Sequence, residues 1–111
     1  MESRQSVEER TLDSSSISIE IYGSQLTSWR CPACYDAKRL LDENNLSYTF
    51  KDVILDKDDG FEYQLKTIDE LAKRLNVRHR KFVYPQIFIN GKHIGGLKQT
   101  KQHLEDKYGV F

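Results

Sequence analysis

The sequence predicts an α/β fold: a mixed four-stranded sheet in the order β-α-β-α-β-β-α, with helices against it. Three observations carry this. Apolar residues recur with period two in some stretches and with helical period in others. Asn90-Gly91 separates two short strand-like runs, the strongest short-range hairpin signal. The first strand, helix and strand form a βαβ unit, which implies parallel strands and a right-handed crossover.

The elements follow in order. Residues 1–16 are polar and Ser-rich, with little to bury, and are expected to form a disordered extension; 17–111 is the expected folded domain. Ile17, Ile19 and Ile21 alternate with polar residues in a strand over 17–22, closed by Gly23 and Ser24. From Pro32 the period changes. Ala33, Ala37, Leu40 and Leu41 share a helical face, Pro32 suits the first helical position, and Asn44-Asn45 marks the end. Leu46, Tyr48 and Phe50 predict a second strand over 46–53, and 56–60 reads as a charged turn. A helix over 62–75 follows, with Leu65, Ile68, Leu71, Ala72 and Leu75 on one stripe. Residues 77–82 form a basic loop, 85–96 the hairpin, and 98–108 a last helix that turns Leu104 and Tyr108 inward, with Leu97 just before it.

At 111 residues the chain is long enough for one domain with its own core, so folding requires no disulfide staple or metal. Lys plus Arg and Asp plus Glu both number 17. A neutral chain of this kind is not expected to bind nucleic acid non-specifically. No apolar run approaches the ~18 residues of a membrane span. The N-terminus lacks a signal-peptide core and carries Glu2, Glu8, Glu9 and Asp13, which a transit peptide would avoid. A cytoplasmic monomer is expected. In a reducing compartment its two cysteines are expected to be catalytic, metal-binding or buried rather than a structural staple.

The cysteines lie in "TSWRCPACYDAKRLL", residues 27–41. The predicted order of elements is that of the thioredoxin fold, and Cys31 falls where the first strand hands over to the first helix. The first N–H groups of a helix have no internal partner, and a thiolate at Cys31 can accept them at the positive end of the helix dipole. Such placement lowers a thiol pKa to ~3.5–7. Arg30 adds a positive charge beside it. Cys34, one turn on, can attack a mixed disulfide at Cys31, so Cys31 is the candidate nucleophile and Cys34 the resolving thiol. Three other readings compete. A zinc site would have to recruit His79, His93 and His103, whose spacing matches no zinc pattern. The pair could also be inert and buried. A shared iron–sulfur cluster, ligated with glutathione and a second subunit, is the third.

"CPAC" after a first strand, "YPQIFINGKHIGG" some fifty residues on and a closing helix together resemble the glutaredoxins over residues 17–108. The charged turn and helix between Asp56 and Leu75 are most similar to small glutaredoxins of T-even-type bacteriophages, which reduce ribonucleotide reductase. The resemblance implies a glutathione-dependent thiol–disulfide oxidoreductase with a redox-active Cys31–Cys34 pair, glutathione as reductant, no metal, and disulfide-bearing proteins such as ribonucleotide reductase as partners. It implies a glutathione site from Arg30, Pro32 and Ala33, from Val83, Tyr84 and Pro85, and from Gly96, Leu97 and Lys98. The Tyr84-Pro85 bond would be cis, and the Tyr84 backbone would pair with the cysteinyl part of glutathione as an added strand would. Gly95-Gly96 would let the backbone approach closely.

The chain departs from the family at several points. Lys98-Gln99 replaces Thr or an acidic residue, Ser28 replaces a basic residue, and Ala33 replaces the motif's usual tyrosine. Tyr84 and Trp29 are placed to restore the lost wall, and Arg78, Arg80 and Lys81 to build, with Arg30 and Lys98, a positive rim. The departures keep open a thioredoxin-like reductase fed by a thioredoxin reductase.

Overall fold

The computed structural model describes residues 17–25 and 31–109; the predicted extension over 1–16, and Ser28, Trp29 and Arg30, lie outside them. The elements are β1 (Ile19–Ser24), α1 (Pro32–Glu43), β2 (Thr49–Lys57), β3 (Gly60–Tyr63), α2 (Leu65–Arg74), β4 (Gln86–Ile89), β5 (Lys92–Gly95) and α3 (Leu97–Tyr108). The sheet order is β3-β2-β1-β4-β5; β1 and β2 are parallel and every other pair is antiparallel.

The α/β thioredoxin-type architecture is as expected, but the sheet has five strands instead of four. The additional strand is β3. Residues 58–59 form the turn of a β2–β3 hairpin, and the predicted helix over 62–75 begins only at Leu65. All four β3 residues are exposed, so the strand buries no face that would make its period legible. Leu65, predicted to face the core, is exposed for the same reason: it opens the helix at the sheet's rim.

Alternation along the strands sends side chains to two cores. Ile19 and Ile21 of β1 and Ile87 and Ile89 of β4 pack with Ala37 and Leu41 of α1 and Leu104 of α3. Tyr22 and Phe88 point the other way, against Ile68 and Leu71 of α2. A register shift at Gly23/Ser24 turns both Val53 and Ile54 to that second face. The Asn90-Gly91 hairpin forms as predicted, with φ of 52° and 80° at its two central residues. The carboxyl end of the central strand β1 and the segment leading into its antiparallel neighbour β4 lie at the same end of the sheet as the start of α1.

Candidate active site

Cys31 is the N-cap of α1, with extended backbone at φ −106° and ψ 98°. Pro32 follows at the first helical position, where its missing N–H leaves nothing unpaired. The Cys31 sulfur receives the Cys34 N–H at 3.3 Å, and its carbonyl receives the Tyr35 N–H at 3.0 Å. An otherwise orphaned helix donor therefore points at the sulfur, which favours negative charge there once the pair is reduced. In the oxidised form shown, Cys31 and Cys34 are joined with Cα atoms 5.2 Å apart. The two sulfurs are unequal in access. Cys34 is fully buried, whereas Cys31 is part-exposed. An incoming thiol or disulfide can therefore reach Cys31 but not Cys34.

Room for the inner sulfur comes from β1. A Cβ added to Gly23 would lie 2.8 Å from the Cys34 sulfur and 3.1 Å from Phe50. Glycine is required here by close approach and not by backbone angle. In the sequence Gly23 reads only as a strand end; a glycine at a strand's last turn is the one signal of such an approach.

The second wall is the Val83–Pro85 loop. Tyr84-Pro85 is cis, as the resemblance implied, and Pro85 is buried. The Tyr84 carbonyl oxygen stands 3.8 Å from the Cys31 sulfur. The loop is held by a relay that the sequence does not announce. Gln86 donates from Nε2 to the Val83 carbonyl at 2.7 Å, and its Oε1 lies 2.7 Å from His93 Nε2. With the amide so oriented, His93 donates from Nε2. Burial pushes the His93 pKa down, and burial, then the nearby Tyr63, pushes that of Tyr84 up. The Val83 side chain is 81% exposed, while the Tyr84 ring turns inward against Phe82, 6.4 Å away between centroids.

The third wall is the start of α3. Gly95 has φ +123°, a conformation that L side chains rarely adopt. Gly96 is the N-cap; its N–H goes to Gln99 Oε1 at 3.1 Å, and its carbonyl receives Thr100 N and Oγ1 at 3.0 and 2.8 Å. A Cβ on Gly96 would lie 3.6 Å from the Pro85 carbonyl, so the loop and the α3 start are neighbours. The Leu97 side chain packs on the core, and Lys98 is exposed with Lys101, Gln102 and Glu105 along α3. Leu97 can therefore offer a ligand its backbone but not its side chain. Ala33 is part-exposed and Pro32 exposed beside the sulfur.

The predicted positive rim is thinner than its sequence. Arg80 is held by both oxygens of Asp69, at 2.7 and 2.9 Å, and that pairing holds the Asp69 carboxyl below its ordinary pKa. Among the described residues no cluster of three His, Cys, Asp or Glu side chains could hold a metal ion. No helix among them is long and apolar enough to cross a membrane.

Comparison with known proteins agrees with this geometry. The glutaredoxin family model matches residues 19–94. An uncharacterised 11.8 kDa protein from the Gp55-nrdG intergenic region of Enterobacteria phage T4 is 37% identical over 86 residues, covering 78% of this chain and 83% of that one. Rice Glutaredoxin-C6 is 38% identical over 71 residues, 63% of this chain, and the match spans 54% of the rice protein. The solved structure of glutaredoxin 1 from Francisella tularensis, complexed with cacodylate, superposes with a TM-score of 0.57 at 28% identity over 81% of this chain and 94% of its own. A buckwheat glutaredoxin–glutathione complex shares the fold, with a TM-score of 0.56 at 22% identity over 84% of this chain and 73% of its own.

Proposed function

The chain belongs to the glutaredoxin family, a family of thiol–disulfide oxidoreductases, and on that premise we propose that glutathione is its electron donor and protein disulfides its substrates. The observation that carries this reading is the asymmetry of the pair: a reachable Cys31 sulfur at a helix start, with a buried Cys34 behind it. A glutathione thiolate attacks the Cys31 sulfur; the Cys31–Cys34 bond breaks, and Cys34 leaves as a thiolate that takes up a proton. A second glutathione thiolate attacks the glutathione sulfur, releasing oxidised glutathione and a Cys31 thiolate. The reduced pair then passes two electrons to a substrate disulfide, Cys31 attacking and Cys34 resolving.

Three features support glutathione. The Tyr84 carbonyl faces the sulfur as a strand-like partner for a cysteinyl backbone would. The N-terminus of α3, with the positive end of its helix dipole and Lys98, suits the γ-glutamyl carboxylate. The buckwheat relative of the same fold is described in complex with glutathione. Ribonucleotide reductase is the protein substrate that the resemblance to phage glutaredoxins brings forward.

Turnover of hydroxyethyl disulfide, coupled either to glutathione and its reductase or to a thioredoxin reductase, tests the reading. Glutathione is expected to sustain turnover, and Cys31→Ser to abolish it. Cys34→Ser is expected to keep activity on glutathione mixed disulfides while losing it on protein disulfides. Turnover supported only by the thioredoxin reductase would sink the assignment.

A further inference from the structure

Beside the reactive pair, on the α2 face of the sheet, runs a groove of about 500 Å³ that glutathione chemistry does not explain. Ile54, Tyr63, Leu65, Ile68, Phe82 and Tyr84 line it. Two of these are large and open to solvent, Tyr63 at 59% and Leu65 at 49%. Phe61, 55% exposed, stacks edge-on against Tyr63 with ring centroids 5.7 Å apart and extends the same apolar surface. Grouped exposed apolar side chains of this kind mark contact surfaces. The polar lining is Ser24, Arg80 and Lys81, and Arg80 is already engaged by Asp69.

The groove is continuous with the reaction centre through one residue. The Tyr84 ring forms part of its lining, and the Tyr84 carbonyl stands 3.8 Å from the Cys31 sulfur. A chain lying in the groove therefore passes the residue whose backbone borders the atom that reacts. Glutathione cannot be the occupant on chemical grounds, because it carries two carboxylates and an ammonium and no apolar side chain to desolvate these walls. One wall comes from the sheet edge: Tyr63 belongs to the edge strand β3, and Leu65 opens the helix that follows it.

We propose that this groove docks the polypeptide flanking a substrate cysteine, an extended segment with aromatic or branched aliphatic residues close to the disulfide that Cys31 attacks. The inference deepens the proposed oxidoreductase function and rests on Cys31 being its nucleophile. In the docked complex the Cys31 thiolate attacks one substrate sulfur. The substrate S–S bond breaks, its second sulfur leaves as a thiolate, and Cys34, giving up its proton, displaces the first. The substrate gains two electrons and the Cys31–Cys34 disulfide forms.

The experiment is single-turnover reduction by the prereduced protein, with no glutathione present, of two octapeptides cyclised through one disulfide. They carry the same charges and differ only in having Phe and Leu or Ser beside the cysteines. The apolar peptide is expected to react about tenfold faster, the effect of burying part of one large side chain. In the double variant Tyr63→Ser/Leu65→Ser that preference is expected to vanish, while hydroxyethyl disulfide is still reduced within about twofold of the parent rate. Both side chains are exposed, so folding is not at risk, and an unchanged melting temperature checks it. Equal rates for the two peptides, a preference that survives the double variant, or an equal loss on the small disulfide overturns the proposal. So does concentration-dependent dimerisation that the double variant abolishes, which would assign the groove to a second copy of the chain. Because the reaction needs no glutathione, it fails or succeeds independently of the donor assignment.

Discussion

Gly23 shows how a residue with no chemistry of its own shapes the reactive pair. Its missing side chain makes the space into which the Cys34 sulfur fits, with Phe50 closing the other side. Gly23→Ala puts a methyl group 2.8 Å from that sulfur, in a strand whose neighbours on both sides fix its backbone. Overpacking of this kind costs about 1–3 kcal/mol, a fall of roughly 5–15 °C in melting temperature. Because the clash is with Cys34, the variant is also expected to shift the Cys31–Cys34 equilibrium measured against a glutathione redox buffer. An unchanged melting temperature with an unchanged equilibrium would show that Cys34 is not held there. The reactive residues themselves were legible, since C-P-x-C at a strand-to-helix junction carries its meaning in four letters. Gly23, Gln86, His93 and Gln99 were not, because each acts through a partner distant in sequence or through a hydrogen bond that composition does not encode.

Among the elements, α2 is fastened to the sheet by charge as well as by its apolar stripe. Arg74 reaches both oxygens of Glu20 on β1 at 3.0 and 2.9 Å, and its guanidinium lies 3.8 Å from the centre of the Phe88 ring. Lys51 on β2 bridges Glu20 and Glu70 at 3.3 and 2.7 Å, and the buried Tyr22 hydroxyl bonds Glu70. The Arg74 hydrogen bond holds the Glu20 carboxyl below its ordinary pKa, and the Lys51 hydrogen bond does the same for Glu70. A carboxylate with a depressed folded pKa adds stability that is present above the unfolded value of about 4.3 and is lost as pH falls through the folded value. Glu20→Gln is thus expected to cost about 1–2 kcal/mol at neutral pH, discounted for partial exposure, and to cost much less at about pH 3. Urea midpoints at both pH values check this; an equal cost at both would mean that the Glu20 charge contributes nothing. The helices and the Asn90-Gly91 hairpin were readable from period and turn chemistry. The β2–β3 hairpin was hidden because a four-residue strand exposed on both faces leaves no buried pattern, and its Glu62 and Tyr63 read as the start of the helix predicted over 62–75.

At the scale of the whole molecule, one end of the sheet, at the carboxyl end of the central strand β1, gathers the groups that chemistry needs. The start of α1, the cis Tyr84-Pro85 loop and the start of α3 meet there, and the β3 edge adds an apolar groove on the opposite face. The basic loop, which sequence alone places as a positive rim, is partly spent on holding α2 through Arg80–Asp69. On the proposed reading, Arg80 is therefore less available to a charged donor, and backbone groups and Lys98 carry more of its recognition. On that same reading Cys31 takes up glutathione and Cys34 resolves. This is tested most directly by exposing the reduced single-cysteine variants, Cys34→Ser and Cys31→Ser, to oxidised glutathione and weighing the products by mass spectrometry. One glutathione per chain is expected on Cys31 in Cys34→Ser, and none on the buried Cys34 in Cys31→Ser. Comparable adducts on both cysteines, or none on Cys31, would contradict it.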